Sequence, residues 1–228
     1  MNHLLHMQSG KKETVNMQVL DIFNSIQGEG KQVGKYRTFV RLNGCNLACN
    51  YCDVFARCER VVNIYTPQQM ATRLSKEEGL VVWTGGEPAL QQDEIYEVRP
   101  MLDWDRDFEL ETNGTIKLTD PELFTLITVS PKLDAPNYRA VISEYKQIDK
   151  HYDNVIFKFA TDDPLNILKI IKECNLDREK VYCMAISDSI IQEGDREKEL
   201  LLEAQFSTLC IRNKLNFSPR LHRLFNLD

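Results

Sequence analysis

The chain has 228 residues, 43% of them hydrophobic and 27% charged, which is the balance of an ordinary globular protein and excludes a disordered or membrane-embedded class. A net charge of −6 and a pI near 5.4 exclude a broad phosphate-binding surface, so no direct contact with nucleic acid is expected. Seven cysteines, three of them crowded into one loop, do not form the pattern of a secreted disulfide framework and point to a reducing, cytoplasmic compartment.

Residues 1–18 are polar and carry His3, His6, Lys11 and Lys12 without periodicity, so they read as a disordered lead. They have no apolar signal-type region, and no later stretch approaches eighteen apolar residues, so no membrane association is expected. Residues 19–228 read as one domain in which short β-like runs alternate with helical patterns, the order that builds a parallel sheet.

Ser25-Ile26-Gln27-Gly28-Glu29-Gly30 comes first, and taken alone it is a glycine turn. The apolar run Tyr36–Leu42 follows and leads into Gly44-Cys45-Asn46-Leu47-Ala48-Cys49-Asn50-Tyr51-Cys52. Cys45, Cys49 and Cys52 in a C-x3-C-x2-C spacing can hold three irons of a cubane cluster and leave the fourth open, since soft thiolates select iron–sulfur clusters, zinc or cuprous copper. The competing reading is a closed zinc site with Cys58 as fourth ligand.

Thr66-Pro67 opens a helix over 67–76 with a cap residue and proline at the first helical position, and Asp163-Pro164 does the same for 164–173. Asp195 is placed to cap a run to Cys210, with Leu200, Leu201, Ala204 and Leu209 as its apolar stripe. Strands are expected at 80–84, 108–111, 126–129, 155–159, 181–186 and 214–217. The sum is an α/β fold, an open or partial (β/α) barrel, and chemistry in such sheets sits just beyond the carboxyl ends of the strands.

Those ends carry Thr84-Gly85-Gly86-Glu87-Pro88, then Glu111-Thr112-Asn113-Gly114-Thr115, then Ser130-Pro131-Lys132. Paired glycines let a ligand approach the backbone and Glu87 suits an ammonium group, although a plain loop explains the same residues. Asn113-Gly114 is by default a hairpin turn, but a helical crossover is expected here, which turns Glu111 and Asn113 toward a ligand. The last strand leads to Ser218-Pro219-Arg220-Leu221-His222, where His222 is a substrate candidate by position alone. Cys174, Cys183 and Cys210 fall in apolar runs and read as small hydrophobic residues.

Together, SIQGEG, the cysteine triplet, TGGEP, ETNGT, VSPK and the terminal Arg220-Leu221-His222 resemble the 7-carboxy-7-deazaguanine synthase family of the radical S-adenosylmethionine (SAM) enzymes, from about Val19 to the C-terminus. The resemblance implies a barrel reduced in helices, usually a homodimer. The implied reaction converts 6-carboxy-5,6,7,8-tetrahydropterin to 7-carboxy-7-deazaguanine with loss of ammonia, in deazapurine (queuosine-type or DNA-modifying) biosynthesis. It implies a 4Fe-4S cluster on the three cysteines, reduced by flavodoxin or ferredoxin, and cleavage of SAM to a 5'-deoxyadenosyl radical.

By resemblance, Tyr51, Gly85, Gly86, Glu87, Glu111, Asn113, Ser130 and Lys132 meet SAM. Gln27, Gly28, Glu29, Arg41, Thr84 and His222 meet the pterin. The chain departs from the family at Val54, where many members carry a Thr or Ser that helps hold magnesium, so the magnesium ligand is unassigned. A second departure is the apolar Met184-Ala185-Ile186, which leaves the adenine contacts unassigned. A glycyl-radical-enzyme activating protein shares the triplet and TGGEP but not SIQGEG or the RLH end. A zinc-stabilised binding module is the non-enzymatic alternative.

Overall fold

The computed structural model describes residues 16–52, 62–77, 80–103, 105–186, 195–225 and 227. Its centre is one sheet whose nine strands run in the order β3-β1-β2-β4-β5-β6-β7-β8-β9 without closing. β1 (Met17–Ile26) pairs antiparallel with β2 (Tyr36–Leu42) and with β3 (Asn63–Tyr65). From β2 onward every pairing is parallel, through β4 (Leu80–Gly85), β5 (Phe108–Thr112), β6 (Leu126–Val129), β7 (Val155–Thr161), β8 (Val181–Ala185) and β9 (Asn216–Phe217).

The helices start where their cap residues predict. α1 (Pro67–Leu74) opens with a capping box in which Thr66 Oγ1 accepts from Gln69 N at 3.2 Å and Gln69 Oε1 accepts from Thr66 N at 2.9 Å. Asp163 accepts from Leu165 N and Asn166 N ahead of α4 (Pro164–Cys174), and Asp195 accepts from Lys198 N ahead of α5 (Arg196–Asn213). α2 (Gln92–Val98), α3 (Tyr138–Tyr152) and the terminal turn α6 (Leu221–Phe225) carry no comparable cap signal, and the sequence pattern did not yield them.

Three expectations change. β1 is a ten-residue strand that runs through Ser25-Ile26, so the SIQGEG loop is the turn of a β1–β2 hairpin, closed by Gln27 N to Lys35 O at 2.7 Å and Gly34 N to Gln27 O at 2.8 Å. The β5–β6 connection is a crossover, but it contains only the 3-10 turn Pro121–Leu123 and no α-helix. On α5, Leu200 and Leu201 are exposed while Glu199, Glu203, Phe206 and Cys210 face inward. That helix turns its glutamates in because the buried guanidinium of Arg220 lies beneath them, at 2.5 Å from Glu199.

Alternation along the parallel strands separates two environments. Val81, Trp83, Phe108, Leu110, Ile127, Val129, Phe157 and Phe159 point outward and form the main core with the helices. Trp83 meets the edge of Phe108 at 5.5 Å, and Phe108 stacks on Phe124 at 5.6 Å. The intervening residues point into the barrel and include Arg37, Glu109 and Lys158, all buried. A charged interior cannot be packed dry like an aliphatic barrel, so it must pair internally or line a cavity. Arg37 and Glu109 pair with each other at 3.0 Å near the amino ends of their strands, and the cavity lies at the opposite ends.

Candidate active site

The cysteine loop leaves β2 through Gly44, at φ +87°, and is fastened to the loop after β4 by backbone hydrogen bonds, with Gln91 Nε2 donating to Asn43 O at 2.9 Å beside them. Gly86 N donates to Leu42 O at 3.0 Å and Glu87 N donates to Gly44 O at 2.8 Å. A methyl group on Gly86 would lie 1.9 Å from Gly44 O, and one on Gly85 would lie 2.4 Å from Leu42 N and O. The paired glycines therefore let two loops touch each other, where the sequence suggested approach by a ligand. Both still face the cavity.

Glu87 is fully buried, and protein donors engage both of its carboxylate oxygens. Its carboxylate accepts from Ala89 N at 2.9 Å, from the Thr112 hydroxyl at 2.7 Å and from Asn113 N at 2.7 Å, which ties the TGGEP loop to ETNGT. Burial pushes its pKa up, against the pull of those hydrogen bonds. Asn113 Nδ2 in turn donates to Asn46 Oδ1 at 3.1 Å, so three loops form one floor.

Cys45, Cys49, Cys52 and Tyr51 line one end of the cavity. Burial raises the Cys49 thiol, while the Lys132 cation favours its thiolate. Lys132 lies over the Tyr51 ring at 5.7 Å and donates to Ser130 Oγ at 3.4 Å, and both Lys132 and Ser130 face the cavity. Glu111 spans the middle, accepting from Gln27 Nε2 at 3.0 Å and from the Thr84 hydroxyl at 2.8 Å. Arg41 lies over the Phe23 ring at 4.7 Å, with Phe23 stacked on Phe39 at 5.2 Å, and all three reach the cavity.

At the far end Glu29 pairs with Lys158, and His222 Nε2 stands 3.8 Å from Glu29 Oε1. Burial pushes the Glu29 carboxyl up, but the Lys158 cation, with His222 and Arg220 beside it, outweighs burial and holds the group below its ordinary range. Gly28 carries the terminal segment, because its carbonyl accepts from Leu221 N at 3.1 Å and a methyl there would meet His222 Nδ1 at 2.7 Å. Lys158, Met184, Ile186 and Arg220 also line this end. Sequence reading missed Lys158, and the signal was there: one cation inside the apolar run Val155–Phe159. Asp53, Val54 and Cys58 fall outside the described residues.

The donor set fits an iron–sulfur cluster. A cubane gives each thiolate its own iron, which suits three thiols spread along one loop at a cavity mouth.

A mostly parallel, unclosed sheet with a three-cysteine loop at the carboxyl end of its parallel strands defines a class, and the family model of the radical SAM superfamily matches residues 39–201. A 7-carboxy-7-deazaguanine synthase of Hyperthermus butylicus is 30% identical over 223 residues, 92% of this chain and 93% of its own. One of Pyrobaculum aerophilum is 31% identical over 92% of this chain and 94% of its own. The crystal structure of QueE from Escherichia coli shares the fold, with a TM-score of 0.64 at 18% identity over 89% of this chain and 93% of that one. Within the radical SAM superfamily, the chain belongs to the 7-carboxy-7-deazaguanine synthase family.

Proposed function

We propose that this chain converts 6-carboxy-5,6,7,8-tetrahydropterin to 7-carboxy-7-deazaguanine with loss of ammonia. The observation that carries the reading is a single cavity with three thiols at one end and the Gln27-Gly28-Glu29 loop with His222 at the other. One end suits a cluster, and the other offers an anionic acceptor to the N–H edge of a pterin.

Cys45, Cys49 and Cys52 would hold the 4Fe-4S cluster, which supplies the electron that turns SAM into a hydrogen-abstracting radical. Tyr51, Gly85, Gly86, Ser130 and Lys132 flank the adjoining space and would hold SAM, with Lys132 available to a carboxylate. Glu111 and Asn113 orient that space by their hydrogen bonds, and Glu87 supports it from behind. Glu29 accepts pterin N–H groups, Gln27 and Thr84 are aligned by Glu111, and Arg41 faces the substrate carboxylate with a planar fork. Phe23, Phe39, Met184 and Ile186 give the cavity apolar walls that keep water from a reactive intermediate.

The electron donor is a flavodoxin- or ferredoxin-class protein and the working form a homodimer in a cytoplasmic compartment; a monomer by light scattering would remove the dimer. No helix among the described residues is long and apolar enough to cross a membrane. Because Val54 cannot ligate magnesium, activity is expected to depend weakly on that ion. Chelator treatment that abolishes turnover, with recovery on adding magnesium, would contradict this.

The test is anaerobic reconstitution with iron and sulfide, then incubation with SAM, a reductant and the carboxytetrahydropterin, with products read by mass. Formation of 7-carboxy-7-deazaguanine is expected. If 5'-deoxyadenosine forms without it, the substrate is wrong while the radical core stands.

A further inference from the structure

Lys158 is the buried cation of β7, with its side chain 7% exposed and paired to a Glu29 carboxylate that is 17% exposed. The pair joins two distant parts of the chain, since Glu29 sits in the β1–β2 hairpin and Lys158 in the middle of a parallel strand. Lys158 occupies Oε2 of Glu29. The other oxygen faces His222 Nε2 at 3.8 Å, beyond hydrogen-bond length, and so keeps its acceptor capacity on the cavity side.

We infer that Lys158 is a positioning residue for the substrate: by clamping one oxygen of Glu29 it presents the other, as an aimed anion, to a ligand edge carrying two or more N–H donors. This rests on the proposed pterin reading and adds to it a residue that touches Glu29 in place of the substrate. A carboxylate held from behind by one cation loses little freedom on accepting a donor pair, whereas an unclamped one must be ordered at each binding event. The titratable and charged groups facing Glu29 are Lys158 from β7, His222 from α6 and Arg220 from the segment before α6. Arg220 is engaged by Glu199, which leaves Lys158 as the direct partner.

The experiment compares Lys158→Met, Lys158→Arg, Glu29→Gln and the double variant Lys158→Met/Glu29→Gln in reconstituted full-length enzyme. The readouts are KM and kcat for the carboxytetrahydropterin across pH, together with 5'-deoxyadenosine release in the presence of SAM alone. Lys158→Met is expected to raise the pterin KM about ten- to a hundredfold, the range of a lost charge-assisted contact, with a smaller effect on kcat and none on substrate-free SAM cleavage. Lys158→Arg should recover most of it. With the cation gone, burial is less opposed at Glu29, so the acid limb of kcat/KM moves to higher pH.

The double variant separates positioning from direct contact. If Lys158 acts through Glu29, adding Lys158→Met to Glu29→Gln changes KM little. An equal further rise when Lys158→Met is added to the Glu29→Gln variant would overturn the inference and make Lys158 a substrate contact. Unchanged KM and pH profile in Lys158→Met would also overturn it. Because the double variant removes both buried charges, it keeps the comparison available if Lys158→Met alone folds poorly. Failure of the wild-type enzyme to make the deazaguanine is a separate outcome and strikes the pterin reading.

Discussion

Glu87 has no surface exposed and three hydrogen bonds to accept, from Ala89 N, the Thr112 hydroxyl and Asn113 N. TGGEP is conspicuous in the sequence as a motif, yet the residue types alone cannot say whether its carboxylate meets a ligand or the protein. That depends on which loop arrives from the neighbouring strand, and here ETNGT arrives with two donors. A glutamine can replace the oxygen that meets Ala89 and Thr112, but its amide nitrogen then faces Asn113 N–H, donor against donor. Glu87→Gln is expected to cost about 1–3 kcal/mol of stability, and Glu87→Ala more, since all three donors lose their acceptor. Urea denaturation of the iron-free chain measures both. Equal stability of Glu87→Ala and the wild type would show that this carboxylate does not hold the two loops together.

At the scale of elements, the fastening of the cysteine loop to the loop after β4 is decided by the absence of side chains. Gly86 admits Gly44 O to a place where a Cβ would stand at 1.9 Å, and the obstructing atom is backbone, which cannot swing aside. Gly86→Ala must therefore push the cysteine loop away from β4, costing about 1–3 kcal/mol by overpacking. The separation falls where three thiols must keep their mutual spacing, so iron bound per chain after reconstitution should drop well below the wild-type value. Gly44→Ala would confuse strain with contact, because that residue has φ +87°. Gly28→Ala is the better control: its added methyl would meet the His222 ring at 2.7 Å and the His222 backbone N at 3.2 Å, away from the cysteine loop, so iron content should stay unchanged while pterin binding weakens. Full iron loading in Gly86→Ala would refute the argument. Helix starts were legible because Thr66, Asp163 and Asp195 act within three residues of themselves. The face of α5 was not, because Glu199 is turned inward by an arginine twenty-one positions later.

For the molecule as a whole, the two ends of the barrel divide the labour between binding and stability, as parallel barrels do. Most residues that line the cavity were legible because strand ends carry glycines and charges in recognisable order. The opposite end was not, since Arg37 and Glu109 each look like the polar half of an alternating strand, and only the parallel order β2-β4-β5 brings them together. Both are almost completely buried, and Arg37 Nη2 donates to Glu109 Oε1 at 3.0 Å. Arg37→Met would leave a buried carboxylate without its cation, a loss of about 3–5 kcal/mol near neutrality. Burial already lifts the Glu109 carboxyl above its ordinary value of 4.5 although Arg37 opposes it, so removing Arg37 lifts it further. A carboxyl raised in the folded state contributes its stability below the unfolded value and loses it as pH climbs through the folded value. The variant should thus lie nearest to wild-type stability below about pH 4.5 and fall away from it toward pH 7. Unfolding curves of both proteins over that range test the sign. The pterin KM, measured well below the variant's melting temperature, should not change, because the pair lies at the end of the strands away from the cavity. A KM that moved with stability would mean that the two ends are mechanically coupled.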